Sequence, residues 1–412
     1  MLLTPHVKKN ELPLYWSKDP LIHTTTFGHI MSYRRFVLLL HNLHFVNNNN
    51  AEREPDRLKK IRPVLSMIAD KFRTTFYPFQ NVVIDESLML WKGRLGFRQY
   101  IPSKRHRYGI KAFVLCDCQT GYILDIIPYT GKDTALDRHA DVGVSGSVVL
   151  TMLGPYKGRG HIVYLDNWYS SPLLFSNLHA LKIGACGTVR SNRKHLPTFP
   201  KLKKGEVKSY HANNVLALKW NDRKDVTLLT TVHNDEIVTT EKERDGQPQL
   251  KPKAIIDYNK NMRLVDKSDM MISFNECLRK TRKWYKKYFF HLMDLCVLNA
   301  YYIHCSLTGK KPGLRVFSLT LVRQLLEKYG PPQPPPAPLA LPFEVRLQRG
   351  RHYPVNVPST EKKKNAQRIC RVCAHTQLKQ RKKSCTRYMC KECNVPLCIL
   401  GCFEVYHEEV VF

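Results

Sequence analysis

The chain has 412 residues, 43% of them hydrophobic, and its 66 lysines and arginines against 34 aspartates and glutamates give a formal net charge of +32. This length predicts about two to three domains with a substantial core, and the ordinary apolar content excludes a largely disordered chain. The positive charge predicts a polyanionic partner, of which nucleic acid is the commonest and an anionic membrane surface the alternative. No apolar run reaches the roughly 18 residues that cross a bilayer, and the start shows no signal peptide, so we expect an intracellular protein.

Helical periodicity dominates the first 80 residues, and strand patterns follow. One amphipathic helix is predicted after Ser32, a candidate N-cap, and a second from about Pro63 to Phe76. From Asn81 onward the predicted strands cover 82–90, 97–101, 110–115, 121–127, 162–166 and 185–189, with helices at 148–153 and 173–181 between the later ones. The strands at 97–101 and 110–115 are predicted to be antiparallel neighbours.

Two of these strands run directly into an acid. Val82, Val83 and Ile84 suit a strand that is buried on both faces, yet Asp85 comes next, and Asp166 ends a similar apolar run. A third acid, Asp266, precedes a long helical pattern. A lone aspartate at the end of a strand is more often a turn or cap residue. Three carboxylates on separate elements, however, can hold two divalent ions around a phosphodiester.

A run of strands followed by helix–strand–helix–strand predicts a mixed sheet flanked by helices, the ribonuclease H-like (RNase H-like) α/β plan. Further strands at 215–220 and 226–232 predict an inserted β subdomain, and the longest helix is predicted from Asn275 to about Ser306. A proline-rich linker then begins at Gly330. The predicted division is an N-terminal helical region at 1–80, a catalytic domain at 81–308 with its insertion at about 190–254, a helix and linker at 309–367, and a cysteine-rich module at 368–412.

The C-terminal module carries paired cysteines at spacings typical of structural zinc sites. The predicted ligands are Cys370, Cys373, Cys390, Cys393, Cys398, Cys402 and His407. Seven ligands exceed one tetrahedral site and fall one short of two, so one or two Zn²⁺ ions are predicted, with Cys385 or His375 as candidates for the eighth ligand. Alternating pairs that share metals, a cross-brace, are the expected topology. By spacing alone the module is equally typical of RING- or PHD-like protein-interaction domains.

Several motifs of the chain resemble those of the piggyBac transposases, in the same order and over nearly the whole length. They are Asp85-Glu86-Ser87-Leu88, Lys92-Gly93-Arg94, Tyr100-Ile101-Pro102-Ser103-Lys104-Arg105, Gly121-Tyr122, Asp166-Asn167-Trp168-Tyr169-Ser170-Ser171, Val265-Asp266-Lys267-Ser268-Asp269 and Lys280-Thr281-Arg282-Lys283-Trp284-Tyr285. The resemblance implies an RNase H-like DDE catalytic domain with an inserted β subdomain, helical flanks and a small zinc-binding module.

The resemblance also implies a function. It assigns the catalytic acids to Asp85, Asp166 and Asp266, with Asp269 as a fourth contributor, and two Mg²⁺ ions as cofactors. The implied activity is cut-and-paste transposition at TTAA sites through hairpin ends, by a homodimer in the nucleus that binds double-stranded DNA. The zinc module would bind the transposon end.

Basic and aromatic residues near the acids are the candidate DNA contacts. They are Lys104, Arg105, Arg107, Arg282, Lys283 and Trp284, of which Trp284 suits base stacking and equally suits a core position on a helix stripe. The chain departs from the family pattern at Arg263 and Leu264, where the family has glycines. An alternative is therefore a catalytically impaired, domesticated DNA- or chromatin-binding protein derived from such a transposase.

Overall fold

The computed structural model describes residues 1–47, 56–102, 104, 107–244, 247–274, 276–277, 281–330, 352–360, 363–376 and 383–409. The chain divides into two compact units, Met1–Tyr329 and Gly330–Phe412. The start of the predicted linker at 331–351 and the predicted DNA contact Arg105 lie outside the described residues.

Eleven α-helices are described, and nine of them belong to the first unit. In chain order these nine are α1 Thr25–Ile30, α2 Tyr33–Asn42, α3 Arg62–Thr75, α4 Gly143–Leu153, α5 Pro172–Ala180, α6 Lys253–Asn261, α7 Leu264–Phe274, α8 Trp284–Thr308 and α9 Leu314–Tyr329. The strands of this unit are β1 Asn81–Leu90, β2 Gln99–Tyr100, β3 Tyr108–Asp117, β4 Ile123–Pro128, β5 Ile162–Leu165, β6 Gly184–Thr188, β7 Val207–Ala212, β8 Val215–Asn221, β9 Asp225–Thr230, β10 Ile237–Arg244 and β11 Gln247–Pro252.

Nine strands form one sheet in the order β2-β3-β1-β5-β6-β9-β8-β7, with β4 also paired to β3. β1 pairs antiparallel with β3 and parallel with β5, and β5 pairs parallel with β6. An antiparallel β1–β3–β4 meander joined to two parallel strands is the RNase H-like arrangement, so the predicted fold class is confirmed.

β1 lies near the centre of this sheet because its sequence tolerates burial on both faces. Val82, Val83 and Ile84 are at most 1% exposed, as a strand between two neighbours under helices requires. α7 lies against β1 and β3, whereas α3 lies against β4 and α8. α7 therefore packs on the strand that carries Asp85.

The N-terminal helices form as the sequence predicts. The Ser32 hydroxyl accepts a hydrogen bond from the Arg35 amide at 3.3 Å, which caps α2. α3 begins at Arg62 with a proline in its first turn, where the missing amide hydrogen has no helical acceptor.

Three expectations need correction. The helix predicted from Asn275 begins only at Trp284, so Arg282 and Lys283 precede α8 instead of lying on its first turns. The strand predicted at 97–101 shortens to the two residues of β2. The inserted strands β8 and β9 form where predicted, but they do not make a subdomain of their own. Because β9 pairs with β6, strands β7–β9 extend the nine-stranded sheet, whereas β10 and β11 form a separate hairpin. The pattern of apolar residues predicts well where strands form, whereas tertiary packing decides which strands pair with each other.

The second unit is built from short elements around buried cysteines. Its strands and helices are β12 Pro354–Asn356, β13 Arg368–Ile369, α10 Arg371–His375, β14 Cys385–Thr386, β15 Tyr388–Cys390, β16 Val395–Pro396 and α11 Cys402–Glu408. Its small core contains Cys370, Val372, Cys390, Cys393 and Leu397. So few apolar residues supply little burial, and a unit of this size usually depends on metals or disulfides. Among the described residues, no helix is long and apolar enough to cross a bilayer.

Candidate active site and metal centres

Asp85 and Asp166 lie side by side on neighbouring parallel strands. The register pairs Ile84 of β1 with Leu165 of β5, so each acid is the next residue along its own strand. Adjacent strands are about 4.8 Å apart, and equivalent positions in a parallel pair point to the same face. The pairing of β1 with β5 therefore places the two carboxylates that were predicted to act together next to each other.

Backbone amides orient both carboxylates. The Glu86 amide donates to Asp85 Oδ1 at 2.8 Å, and the Trp168 amide donates to Asp166 Oδ1 at 2.7 Å. The turn after Asp166 passes close to β6, where a Cβ on Gly187 would come within 2.6 Å of the Leu165 carbonyl oxygen and 2.5 Å of Ser170 Oγ. Glycine at this position is what permits the close approach of the turn.

α7 brings two further acids to the same edge of the sheet. Asp269 accepts a hydrogen bond from Ser87 Oγ at 2.6 Å, which ties the helix to β1. Asp266 lies one helical turn earlier, and its side chain is 68% exposed. All four predicted catalytic acids are therefore brought to the middle of β1, beside the point where β5 ends.

Lys104 lies among these acids. Its Nζ is 3.0 Å from Asp266 Oδ1 and 3.1 Å from the Glu86 carbonyl oxygen. The sequence predicts Lys104 as a DNA contact, but its ammonium is directed at Asp266, one of the predicted catalytic acids. Glu86 has its own cation, Lys111, at 2.9 Å, and Lys111 also lies 4.8 Å above the ring of Trp168.

Three of the acids, Asp85, Asp166 and Asp269, are poorly solvated for anionic groups. Burial raises the pKa of Asp85 to about 7, and the charges of Asp166 and Asp266 add to the rise, against the opposing effects of the Glu86 amide and Lys104. Burial likewise raises the pKa of Asp269 to about 6, although the Ser87 hydrogen bond and Lys104 lower it. The pKa of Asp166 is raised too, mainly by burial. A nearby cation stabilises the ionised form of carboxylates that are buried and close to other negative charges.

The donor set fits hard divalent cations, because every side chain involved is a carboxylate. The acids are neighbours, yet within the described residues the only groups whose ligand atoms all lie within 4.8 Å of one another are two Cys/His sets of the second unit. The Asp266 carboxylate contacts Lys104 in this arrangement. The acids are therefore neighbours, but their carboxylate oxygens do not converge on a single metal position.

The remaining predicted DNA contacts fall into two kinds. Arg107, Arg282 and Lys283 are exposed. Trp284, in contrast, is half-buried and packs edge-on against Phe97, with ring centroids 5.3 Å apart. The core alternative for Trp284 is therefore the better description of its packing.

Arg263 and Leu264 stand where the family has glycines, and neither has a positive φ. Leu264 is the first residue of α7 and is partly buried against the main core, whereas Arg263 is exposed. The backbone here needs no glycine for its conformation, so strain at these two positions is not a source of impairment.

The first Cys/His set contains four cysteines. Cys370, Cys373, Cys398 and Cys402 bring their sulfurs together, with Cys373 Sγ 3.9 Å from Cys398 Sγ and 3.5 Å from Cys402 Sγ. Four thiolates around one Zn²⁺ at about 2.3 Å lie about 3.8 Å apart in a regular tetrahedron. The geometry fits zinc.

The second set combines two cysteines with two histidines. Cys390 Sγ and Cys393 Sγ are each 3.5 Å from His352 Nδ1, and Cys393 Sγ is 3.4 Å from His407 Nε2. The residue that completes the second set is therefore His352, whereas Cys385 and His375, the candidates expected from the sequence, are exposed and outside both sets. The module also begins before residue 368, since His352 and β12 belong to it.

His352 was missed because it has no paired ligand two to four residues away. The signal that could have found it is the number of ligands: three cysteine pairs and His407 make seven, and two tetrahedral sites need an eighth. The pairs alternate between the sets in the cross-brace order that was expected.

The mixed sheet, the acids on β1, after β5 and on α7, and the Cys/His unit define a class of protein, the RNase H-like DDE transposases with a C-terminal zinc finger. A transposase family model described as "Transposase IS4" matches residues 1–301, and a "DDE_Tnp_1-like zinc finger" model matches residues 348–408. The chain belongs to the piggyBac transposase family.

Among human proteins, it is similar to piggyBac transposable element-derived protein 3, with 26% identity over 99% of this chain and 69% of that protein. It is also similar to piggyBac transposable element-derived protein 2, with 24% identity over 74% of this chain and 54% of that protein. The fold matches a cryo-EM structure of the piggyBac transposase synaptic complex with hairpin DNA, with a TM-score of 0.68, 24% identity, and coverage of 97% of this chain and 86% of that one. Membership implies a divalent metal for DDE chemistry and zinc for the finger.

Proposed function

We propose that the protein is a DNA transposase that hydrolyses and transfers phosphodiester bonds with two Mg²⁺ ions held by Asp85, Asp166 and Asp266, with Asp269 contributing. The observation that carries this proposal is the register of β1 and β5, which sets Asp85, in the middle of β1, beside Asp166, which follows the carboxyl end of β5. Two carboxylates on one rigid sheet edge provide the fixed geometry that metal-dependent phosphoryl transfer requires.

The side chains of the chain have distinct tasks in this proposal. Asp85 and Asp166, oriented by backbone amides, would bind the ions, which supply an activated attacking oxygen and a stabilised leaving oxygen when bound. Asp266 would join them from α7, and Ser87 would hold Asp269, and with it the helix, against β1.

DNA is the proposed partner because of the net charge of +32 and the exposed Arg107, Arg282 and Lys283. The proposal extends to transposon ends, TTAA target sites, a homodimeric complex and a nuclear location, in keeping with the family. The zinc unit is proposed to bind the transposon end.

Incubation of purified protein with labelled DNA carrying matching transposon ends tests the proposal. Mg²⁺-dependent cleavage is expected, and Asp166→Ala should abolish it while leaving DNA affinity within about twofold. Asp137→Ala removes an exposed loop carboxylate outside the predicted set of acids and is the matched control, which should cut normally. Cleavage that survives Asp166→Ala would exclude the assigned site.

A second candidate is a derived DNA-binding protein that no longer cuts. It is favoured by the Asp266 carboxylate, which is exposed and faces Lys104 instead of Asp85 and Asp166. The same assay separates the candidates: this one predicts salt-sensitive DNA binding by the unaltered chain with no cleavage at any Mg²⁺ concentration.

A further inference from the structure

Lys104 occupies a position from which it can replace a metal ion. Its Nζ contacts Asp266 Oδ1 at 3.0 Å and the Glu86 carbonyl at 3.1 Å, two oxygens that flank the edge of the sheet bearing Asp85. The Lys104 side chain is only 24% exposed, although a lysine on a polar connection between strands is normally solvated. The acids therefore draw the ammonium inward.

The environment explains why a cation is held there. Four carboxyl groups lie near the middle of β1, and the burial of Asp85, Asp166 and Asp269 limits the screening of their mutual repulsion. The charges of Asp85, Asp266 and Asp269 all act on Lys104. A single ammonium offsets part of this repulsion when divalent ions are absent.

We propose that Lys104 is a placeholder cation that neutralises the acid cluster before metal binds and is then released to hold a DNA phosphate. The proposal rests on the function proposed above. A divalent ion on Asp266 and the Lys104 ammonium are like charges that compete for the same carboxylate, so one must leave as the other arrives. The freed ammonium lies beside the site where the scissile DNA would bind, and a phosphate is its natural new partner.

This arrangement couples metal binding to DNA binding. Metal alone must displace Lys104 without giving it a new partner, whereas metal in the presence of DNA gives Lys104 a phosphate. Linkage then requires DNA to raise the affinity for metal and metal to raise the affinity for DNA by the same factor. The protein would therefore bind metal more weakly in the absence of DNA than in its presence.

The first test is Mn²⁺ titration of the full chain, followed by electron paramagnetic resonance, with and without a short random-sequence DNA duplex. Without DNA, Lys104→Met should bind Mn²⁺ about fivefold more tightly than the unaltered chain, the effect of an ion pair worth about 1 kcal/mol. Lys104→Arg keeps the charge and should stay within about twofold. Lys219→Met removes a comparable ion pair, 2.8 Å from Asp225, on strand β8, which three other strands separate from β1 in the sheet, and should have no effect.

The duplex should raise Mn²⁺ affinity in the unaltered chain and raise it much less in Lys104→Met. Equal Mn²⁺ affinities for Lys104→Met and the unaltered chain, or equal enhancement by DNA, would overturn the placeholder role. Mn²⁺ binding that Asp166→Ala leaves unchanged would instead show that the acids do not form the site, which contradicts the proposed function itself.

A second measurement needs no variant and therefore does not depend on how Lys104→Met folds. Acetylation of the unaltered chain, read by mass spectrometry, reports how accessible each lysine ammonium is. The labelling of Lys104 should rise several-fold when Mn²⁺ is added and fall again when the duplex follows, whereas Lys219 should label equally throughout. Lys104 labelling that does not change while Mn²⁺ binds would refute the displacement.

Discussion

Ser87 Oγ donates a 2.6 Å hydrogen bond to Asp269 Oδ1 and so connects the middle of β1 to α7. Both residues belong to the motifs that resemble the family, yet only the fold shows that they touch. The bond fixes how far α7 advances along the sheet and, with it, where Asp266 lies. Four predictions follow from this contact and from others in the two units.

Removal of the Ser87 hydroxyl is expected to destabilise the protein in a pH-dependent way. A hydrogen bond to a charged group contributes about 1.5–3 kcal/mol, so Ser87→Ala should lower the free energy of unfolding by about that amount at pH 8. At pH 5, where Asp269 with its pKa of about 6 is mostly protonated, the loss should be smaller. Denaturant unfolding at both pH values measures this. Ser87→Thr retains the hydroxyl and is the control; equal losses at the two pH values would contradict the prediction.

The acid cluster predicts that magnesium-free protein loses stability as pH rises. The pKa values of Asp85 and Asp269 are raised to about 7 and about 6, so the folded state binds more protons than the unfolded state between about pH 4 and pH 7. The associated stability is complete below about pH 4 and is lost as pH rises through 6 to 7. Mg²⁺ should reverse the loss, because bound ions favour the ionised carboxylates.

Thermal unfolding across pH 5–8, with zinc retained and with or without Mg²⁺, checks this. Glu276 and Asp294, whose pKa values burial also raises to about 7, add a similar loss that Mg²⁺ should not reverse. The difference between the two curves therefore isolates the active site. Mg²⁺ should change the stability of Asp166→Ala less than it changes the stability of the unaltered chain. An equally large change in the two proteins would argue against the active site as the origin of the effect.

The zinc unit predicts about two zinc ions per chain, with His352 as an essential ligand. His352→Ala should reduce the content to about one, because three ligands hold zinc far less tightly than four. His375→Ala and Cys385→Ser, at the two positions that sequence reasoning favoured, should retain both ions. Elemental analysis after gel filtration measures this, and a zinc lost on His375→Ala but kept on His352→Ala would reverse the assignment.

The two kinds of predicted DNA contact should differ in what their removal changes. Arg282→Ala and Lys283→Ala should each reduce the slope of log affinity against log salt by about one and leave stability unchanged, as expected for phosphate contacts. Trp284→Ala should instead cost on the order of 2 kcal/mol of stability, because it removes packing against Phe97. Fluorescence anisotropy at several salt concentrations and chemical denaturation separate the two effects. A Trp284→Ala variant that is fully stable but binds DNA poorly would instead support the prediction that Trp284 stacks on a DNA base.

The sequence predicts most of the elements near the acids, because β1 and β5 have strong local patterns that end on Asp85 and Asp166. It does not predict that β9 would pair with β6, since strand pairing is decided by packing across the whole sheet. Nor does it predict that Lys104 turns inward, because a basic connection has the same composition whether its side chains meet DNA or carboxylates. His352 escaped for a related reason: a lone histidine carries no spacing signal.

The alternating order of the zinc ligands has a consequence for how the module can be inherited. Any break in the chain between Cys373 and Cys398 would leave neither Cys/His set complete on either side of it. A premature stop codon, or a recombination event that replaces the sequence on one side of this span, would therefore remove both metal sites at once. Gene fusions can carry the module to another protein only as one uninterrupted cassette from His352 to His407.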